Sequence, residues 1–205
     1  MSMPVNRLPM LPKDHDFLRF ESPMAPAAGC LLVANPFLSD PNFRRAVVLL
    51  TEFSAEGAFG LVLNKPIQLE LTDLVKDLPA NEERVHYGGP VQLDTLHFLH
   101  RRAKDFADCT PVREDICWGG NFDMLRLLMQ SGELSYEDIR FFVGYAGWTA
   151  GQLEEEIENQ GWVVTPATSE LVFAGDPEQI WPEALRQMGS RFEVMANFPE
   201  DPSLN

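Results

Sequence analysis

The chain has 205 residues, of which 45% are hydrophobic and 23% charged, and its 16 basic and 31 acidic residues give a formal charge of −15. This length and composition are typical of one soluble globular domain. The charge disfavours direct nucleic-acid binding, which requires Lys and Arg to neutralise phosphates, and no apolar stretch is long enough to span a membrane.

The first 28 residues predict an extended, proline-rich arm. Five prolines interrupt any helix or central strand there, and no basic start precedes an apolar block, so we expect no signal peptide. The three cysteines, Cys30, Cys109 and Cys117, form no CxxC pair. They predict reduced thiols that pack as small hydrophobes in a cytoplasmic protein.

Short apolar runs bounded by turn residues predict most of the strands. Strands are predicted at residues 30–34, 46–50, 59–63, 84–88, 95–100, 116–118, 139–143, 162–165 and 171–173. The turn Asn64-Lys65-Pro66 ends the third strand, because proline cannot continue a ladder. A second turn, Gly88-Gly89-Pro90, separates two later strands.

Helices are predicted at residues 71–78, 122–130, 150–159 and 181–188. Asn121 is a suitable N-cap for the second of these, Thr149 and Gln152 have capping-box spacing at the third, and Pro182 fits the first turn of the last. Strands in runs, with helices mostly in the second half, predict an α+β domain with a largely antiparallel or mixed sheet. We place three regions along the chain: the arm at 1–28, the domain at 29–189 and an acidic tail at 190–205.

The segment from Arg140 to Glu155 is the most unusual part of the sequence. Gly144, Gly147 and Gly151 lead from a strand towards a helix, with Tyr145 and Trp148 beside them. A helix start exposes free amides, and Tyr and Trp are amphipathic, which favours a pocket or a partner-binding corner. Alternatively, the glycines avoid clashes in a tight joint and the aromatic rings fill the core.

Catalytic and metal-binding motifs are absent from the sequence: there is no GxxxxGK, GxGxxG, GxSxG or HExxH. His97 and His100 lie three apart on a predicted strand, which points them to opposite faces. We therefore expect no metal and no cofactor. Glu154 and its neighbour Glu155 point about 100° apart on a helix, so we interpret both as solvated.

Five motifs in order resemble the YqgE/AlgH family of bacterial proteins. They are GCLLVANPFLSDPNFRRAVVLLTE, GAFGLVLNKP, HYGGPV with LHFLH, FFVGYAGWTAGQLEEEI, and GWVV with LVF and a Trp-led helix, and together they run from Gly29 to Gly189. The resemblance implies a single α+β domain with a coiled, partly split sheet packed with three to four helices, in a bacterial cytoplasmic setting. It implies no established reaction, and the AlgH name implies a link to transcriptional regulation.

The family motifs supply the candidate positions for a ligand- or partner-binding surface. These are Asn64, Lys65, Gly88, Gly89, Pro90, His100, Arg140, Gly144, Tyr145, Gly147, Trp148, Gln152 and Glu154.

Two hypotheses about function follow. The first is a non-enzymatic binding or regulatory protein, acting through an unidentified protein partner or small ligand, whose surface combines the GYAGW–GQLE corner with the NKP and GGP turns. The alternative is an enzyme, such as a hydrolase, in which His100, Arg140 and Glu154 share one cleft. It requires these three side chains to converge.

Overall fold

The computed structural model describes residues 21–78 and 84–197, which contain ten strands and six α-helices. The strands are β1 (Cys30–Ala34), β2 (Val47–Ser54), β3 (Gly57–Val62), β4 (Pro66–Glu70), β5 (Arg84–Tyr87), β6 (Val91–His100), β7 (Thr110–Arg113), β8 (Ile116–Trp118), β9 (Ile139–Thr149) and β10 (Trp162–Pro166). The helices are α1 (Leu71–Leu74), α2 (Phe122–Gln130), α3 (Gln152–Glu158), α4 (Ser169–Val172), α5 (Pro177–Gln187) and α6 (Ser190–Ala196).

The strands form a sheet in the order β10-β1-β2-β3-β9-β6-β8-β7, with β4 and β5 beside this path. Neighbouring strands are antiparallel, apart from the parallel pair of β5 with β9. The α+β class and the mainly antiparallel sheet are therefore confirmed. No helix in the described ranges is both long and apolar enough to cross a membrane.

The central strands are buried on both faces, which explains their continuous apolar sequences. Leu31 and Leu49 belong to one core cluster, while Leu32 and Val48 belong to a second cluster on the opposite face. A third cluster lies under α2 and includes Phe98, Leu125 and Phe141. The sheet therefore separates the core into layers, and helices cover it.

The GGP turn crosses the backbone of β9. Phe142 of β9 pairs with His97 of β6 and with His86 of β5, so β5 and β6 lie on opposite edges of the same strand. The link between them must pass over β9. A Cβ atom on Gly88 would lie 2.1 Å from the carbonyl oxygen of Gly144. The two backbones thus pack directly against each other, which only glycine allows at this position.

Two local predictions are wrong. Residues 171–173 are not a strand, because Leu171 and Val172 belong to α4, where the Thr168 hydroxyl accepts a hydrogen bond from the Leu171 amide at 3.3 Å. A short apolar run does not by itself distinguish strand from helix. In α5, Pro177 occupies the first turn, and Pro182 lies inside the helix.

The two ends differ in how much the structure describes. Residues 1–20 of the predicted arm and 198–205 of the predicted tail lie outside the described residues. The end of the arm contacts the sheet, since the Ser22 hydroxyl accepts a hydrogen bond from the Val164 amide at 2.9 Å. The start of the predicted tail is helix α6 instead, and its Phe192 and Met195 are buried in the first core cluster.

Replacing Gly88 with alanine tests the crossing. We expect Gly88→Ala to lower the free energy of unfolding by about 3 kcal/mol or more, because the added methyl group meets backbone that cannot move aside. Gly175→Ala is the control, since a Cβ there meets nothing within 4 Å. Urea unfolding curves with equal midpoints for the two variants would contradict the crossing.

Candidate functional site

The Asn64 side chain joins the end of β3 to the loop that precedes β2. Its Oδ1 accepts a hydrogen bond from the Val47 amide at 2.9 Å, and its Nδ2 donates to the Arg45 carbonyl at 2.7 Å. Arg45 has φ +52, a left-handed conformation that non-glycine residues rarely adopt. Asn64 therefore holds Arg45 in a conformation that has an energetic cost.

Further hydrogen bonds fix the NKP turn against the same loop. Lys65 Nζ donates to the Pro41 carbonyl at 3.0 Å, and the Lys65 carbonyl accepts from the Tyr87 amide at 2.7 Å. The Tyr87 hydroxyl in turn donates to Asn42 Oδ1 at 3.1 Å. Three segments that are distant in the sequence are thus fixed together around the turn.

The NKP turn borders a recess of about 790 Å³, here called the basic recess. Four cations line it, namely Arg44, Arg45, Lys65 and Arg186, and Glu178 is the one carboxylate among the described lining residues. The chain as a whole carries −15. The recess therefore reverses the overall charge locally, and it favours an anionic ligand.

The guanidinium of Arg45 is stacked on an aromatic ring in the wall of the recess. Its Cζ lies 4.7 Å from the centroid of Trp181. Trp181 is buried, and its Nε1 donates to the Ala34 carbonyl at 2.9 Å. Stacking on a fixed ring restricts the guanidinium, so less entropy is lost when it binds a ligand.

The GYAGW segment borders a separate hollow of about 760 Å³, here called the aromatic hollow. Phe59 and Tyr145 contribute stacked rings with centroids 4.1 Å apart, and Glu52 and Glu56 also line it. The basic recess lies at the open end of the β2–β3 hairpin and the aromatic hollow at its closed end, about 25 Å apart for strands of this length. The predicted surface is therefore brought together only in part. The GGP turn packs against Gly144 and Tyr145, whereas the NKP turn and Trp148 border separate cavities.

The corner also differs in detail from its prediction. Strand β9 continues through Gly147 and Trp148 to Thr149, rather than ending at residue 143. Gly151, at φ +76, is the N-cap of α3. The predicted capping box is absent, because the N-cap is Gly151, without a side-chain capping bond, and Gln152 is the first residue of the helix. Gln152 Oε1 accepts a hydrogen bond from the Thr149 amide at 3.0 Å ahead of the helix.

Trp148 is only 6% exposed, and its main partner is a carboxylate. Its Nε1 donates to Glu156 Oε2 at 2.9 Å, and the Nε1 of Trp162 donates to the same oxygen at 2.8 Å. Gln152 Nε2 donates to the other oxygen at 3.0 Å. Glu156 thus satisfies two buried indoles, a structural role that the sequence did not indicate.

The three residues of the enzyme hypothesis do not converge. Leu99 pairs with Arg140 and His100 with Ile139, so the side chains of His100 and Arg140 lie on opposite faces of the sheet. Glu154 is exposed on α3. No cleft is therefore shared by these three side chains.

The two buried side chains, His100 and Arg140, both form hydrogen bonds with backbone groups. His100 Nδ1 accepts from the Arg102 amide at 3.1 Å, which leaves Nε2 to donate to the Gly119 carbonyl at 3.0 Å. Arg140 donates to the carbonyls of Leu63 and Ala174. Both side chains are thus used to satisfy backbone groups, which is a structural role.

Two of the three cysteines are core residues. Cys30 and Cys117 are buried. Burial raises the pKa of Cys30, and it raises the pKa of Cys117 to about 12, with the neighbouring Cys109 adding to the shift. A thiolate is the nucleophilic form of cysteine. These two residues therefore stay protonated at neutral pH, as expected for core residues.

Most of the basic recess was not predicted from the sequence. Lys65 and Asn64 were candidates, but Arg44, Arg45 and Arg186 were not. The adjacent pair Arg44–Arg45 in a strongly acidic chain was the available signal. The other candidates lie elsewhere: Gly88, Gly89 and Gly144 form the backbone crossing, Pro90 is exposed beside it, and their role in binding stays a prediction.

Known proteins are similar to this chain in sequence and in fold. The AlgH-like family model, DUF179, matches residues 31–193. A UPF0301 protein of Chlorobium limicola is 38% identical over 177 residues, covering 86% of this chain and 95% of the relative. A UPF0301 protein of Cytophaga hutchinsonii is 40% identical over 178 residues, covering 86% and 98%.

Two solved structures have the same architecture. A protein from Corynebacterium diphtheriae superposes with a TM-score of 0.77 at 24% identity, covering 91% of this chain and 99% of that one. The AlgH protein from Pseudomonas aeruginosa superposes with a TM-score of 0.68 at 28% identity, covering 84% and 94%. These matches extend over most of the sheet and its covering helices.

Removing the Glu156 carboxylate tests its structural role. We expect Glu156→Ala to lower the free energy of unfolding by about 2–4 kcal/mol, because two buried indole N–H groups lose their acceptor. Glu155→Ala, on the exposed side of the same helix, should change it by less than about 0.5 kcal/mol. Equal thermal midpoints for both variants would exclude this role for Glu156.

The buried histidines predict a loss of stability in acid. Burial lowers the pKa of His100 and of His97 below the ordinary 6.5, so the unfolded chain binds protons first as the pH falls. Stability is complete above about pH 6.5 and decreases below it, by at most about 1.4 kcal/mol per pH unit for each histidine.

The contribution of His100 to this loss can be measured by urea unfolding at pH 7 and pH 5. His100→Gln should be less stable than wild type at pH 7 but should lose less stability between the two values. An unchanged pH dependence of stability in the variant would show that the pKa of His100 is the same in the folded and the unfolded protein.

Proposed function

The chain belongs to the AlgH-like family, and from that premise we propose that it is a non-enzymatic binding protein whose ligand occupies the basic recess. The observation that carries the proposal is the convergence of four cations on one recess in a protein of charge −15. A cluster of positive charge in a recess attracts anions more strongly than the rest of an acidic surface does.

The geometry of the recess supports binding more than catalysis. Its volume of about 790 Å³ lies within the range of small-molecule pockets. Its described lining residues include no histidine or cysteine, and the buried histidine and arginine of the enzyme hypothesis bond to backbone elsewhere. An orienting but chemically inert lining suits a protein that holds a ligand unchanged.

We further propose that the protein works in the bacterial cytoplasm and affects transcription indirectly. The charge of −15 opposes contact with DNA phosphates, so a regulatory effect requires a bound ligand or a protein partner. Ligand binding changes the charge of the surface around the NKP turn. That change provides a signal which a partner protein can recognise.

A thermal-shift screen against a mixed library of anionic, cationic and neutral metabolites tests the proposal. At about 100 times its Kd, a ligand of the folded state should raise the Tm by about 5–10 °C. Gln179→Trp places a large side chain at the wall of the recess and should abolish the shift. Each compound should be recovered unchanged by mass spectrometry.

Gln187→Trp, on the same helix but outside the lining, is the matched control and should respond like wild type. Hits that persist in Gln179→Trp would place the binding site elsewhere. Chemical conversion of a hit, lost in Gln179→Trp, would replace the binding role with an enzymatic one.

A further inference from the structure

We propose that the ligand of the basic recess is a small molecule that carries two or more neighbouring phosphate groups. This inference rests on the proposed function and specifies its ligand class. A nucleotide and a free polyphosphate share this chemistry. The inference is argued from the placement of the cations, the fixed backbone of Arg45, and the nature of the walls.

The cations come from three separate parts of the fold. Arg44 and Arg45 lie in the loop before β2, Lys65 in the NKP turn, and Arg186 on α5. A single small anion cannot reach every wall of a recess of about 790 Å³. A chain of phosphates can contact several of these cations at once, and arginine forks bind phosphate oxygens in pairs.

Two of the cations are held in place before any ligand binds. Arg45 is fixed at φ +52 by the Asn64 amide, and its guanidinium stacks on Trp181. Lys65 Nζ donates a hydrogen bond to the Pro41 carbonyl at 3.0 Å, which restricts the ammonium group. Groups fixed in this way lose less entropy on binding.

Arg44 and Arg186 provide the adaptable part of the site. Both side chains are exposed. Arg44 makes no ion pair within the described residues, and Arg186 makes an i,i+3 pair with Glu183 at 3.3 Å. Exposed pairs of this kind are weak, so a phosphate group competes readily for Arg186.

The walls disfavour an acidic peptide as the ligand. Pro41, Pro66, Pro177 and Pro182 all line the recess. Proline has no amide N–H, so these positions cannot donate the backbone hydrogen bonds that hold an added peptide strand. A compact ligand bound through side-chain cations fits such walls better.

Isothermal titration calorimetry with inorganic tripolyphosphate, orthophosphate, ATP and a triglutamate peptide tests the inference. We expect tripolyphosphate and ATP to bind at least tenfold more tightly than orthophosphate or triglutamate, and more weakly as salt is raised. Equal affinities for tripolyphosphate and ATP would show that the protein recognises the phosphate chain alone. Tighter binding of ATP would show that the nucleoside also contributes to binding.

Arg44→Gln should weaken tripolyphosphate binding by about tenfold, without changing the Tm of the free protein, because Arg44 is exposed. Lys104→Gln, an exposed lysine outside the recess, is the matched control and should bind like wild type. No binding of either polyphosphate, equal loss in both variants, or triglutamate binding as tightly as tripolyphosphate would overturn the inference.

Failure of the inference is distinguishable from failure of the proposed function. If the metabolite screen yields a recess ligand of another class, blocked by Gln179→Trp, the binding role stands and the phosphate assignment falls. If polyphosphate binding is unaffected by Gln179→Trp, the phosphate assignment falls, because the anion then binds outside the recess. If the metabolite screen also yields no ligand that Gln179→Trp blocks, the proposed function falls with it.

Discussion

The passage of the GGP turn over β9 is the constraint on which the rest of the structure depends. Because β5 and β6 flank the same strand, the chain between them has to cross it, and it does so with backbone against backbone at Gly88 and Gly144. The Gly88 amide donates to the Val143 carbonyl and its carbonyl accepts from the Val62 amide, at 2.8 and 2.9 Å. The crossing thereby joins the end of β3 to β9, and the residue before it, Tyr87, bonds to Lys65. The NKP turn is consequently placed by contacts made at the crossing.

Electrostatics separates the basic recess from the rest of the surface. The net charge of −15 repels anions from the protein as a whole, and the four cations of the recess reduce that repulsion locally. Within the recess, Asn64 bonds to the backbone of Arg45, and the Arg45 guanidinium stacks on Trp181, so this cation is restricted at the wall.

Features that depend on neighbouring residues, such as buried strands and helix caps, were predicted correctly from the sequence. Features that depend on contacts between distant residues were not. Strands 30–34 and 116–118 and the Asn121 cap of α2 agree with the structure, because burial on both faces and capping have local signatures. The end of β9 was placed too early, since pairing with β3, about 90 residues away, extends it. Likewise, Arg45 and Arg186 share a recess only through the sheet topology, which periodicity cannot show.

The motif residues divide into those that build the site and those that can bind. Both polar atoms of the Asn64 amide bond to backbone groups, and Gly88 and Gly144 have no side chains. These residues therefore position neighbouring segments of the chain. Between the basic recess and the aromatic hollow lies the β2–β3 hairpin, which is packed on both faces by buried side chains. A close-packed hairpin does not deform continuously. The hairpin is therefore a closely packed element that holds the basic recess and the aromatic hollow at its opposite ends.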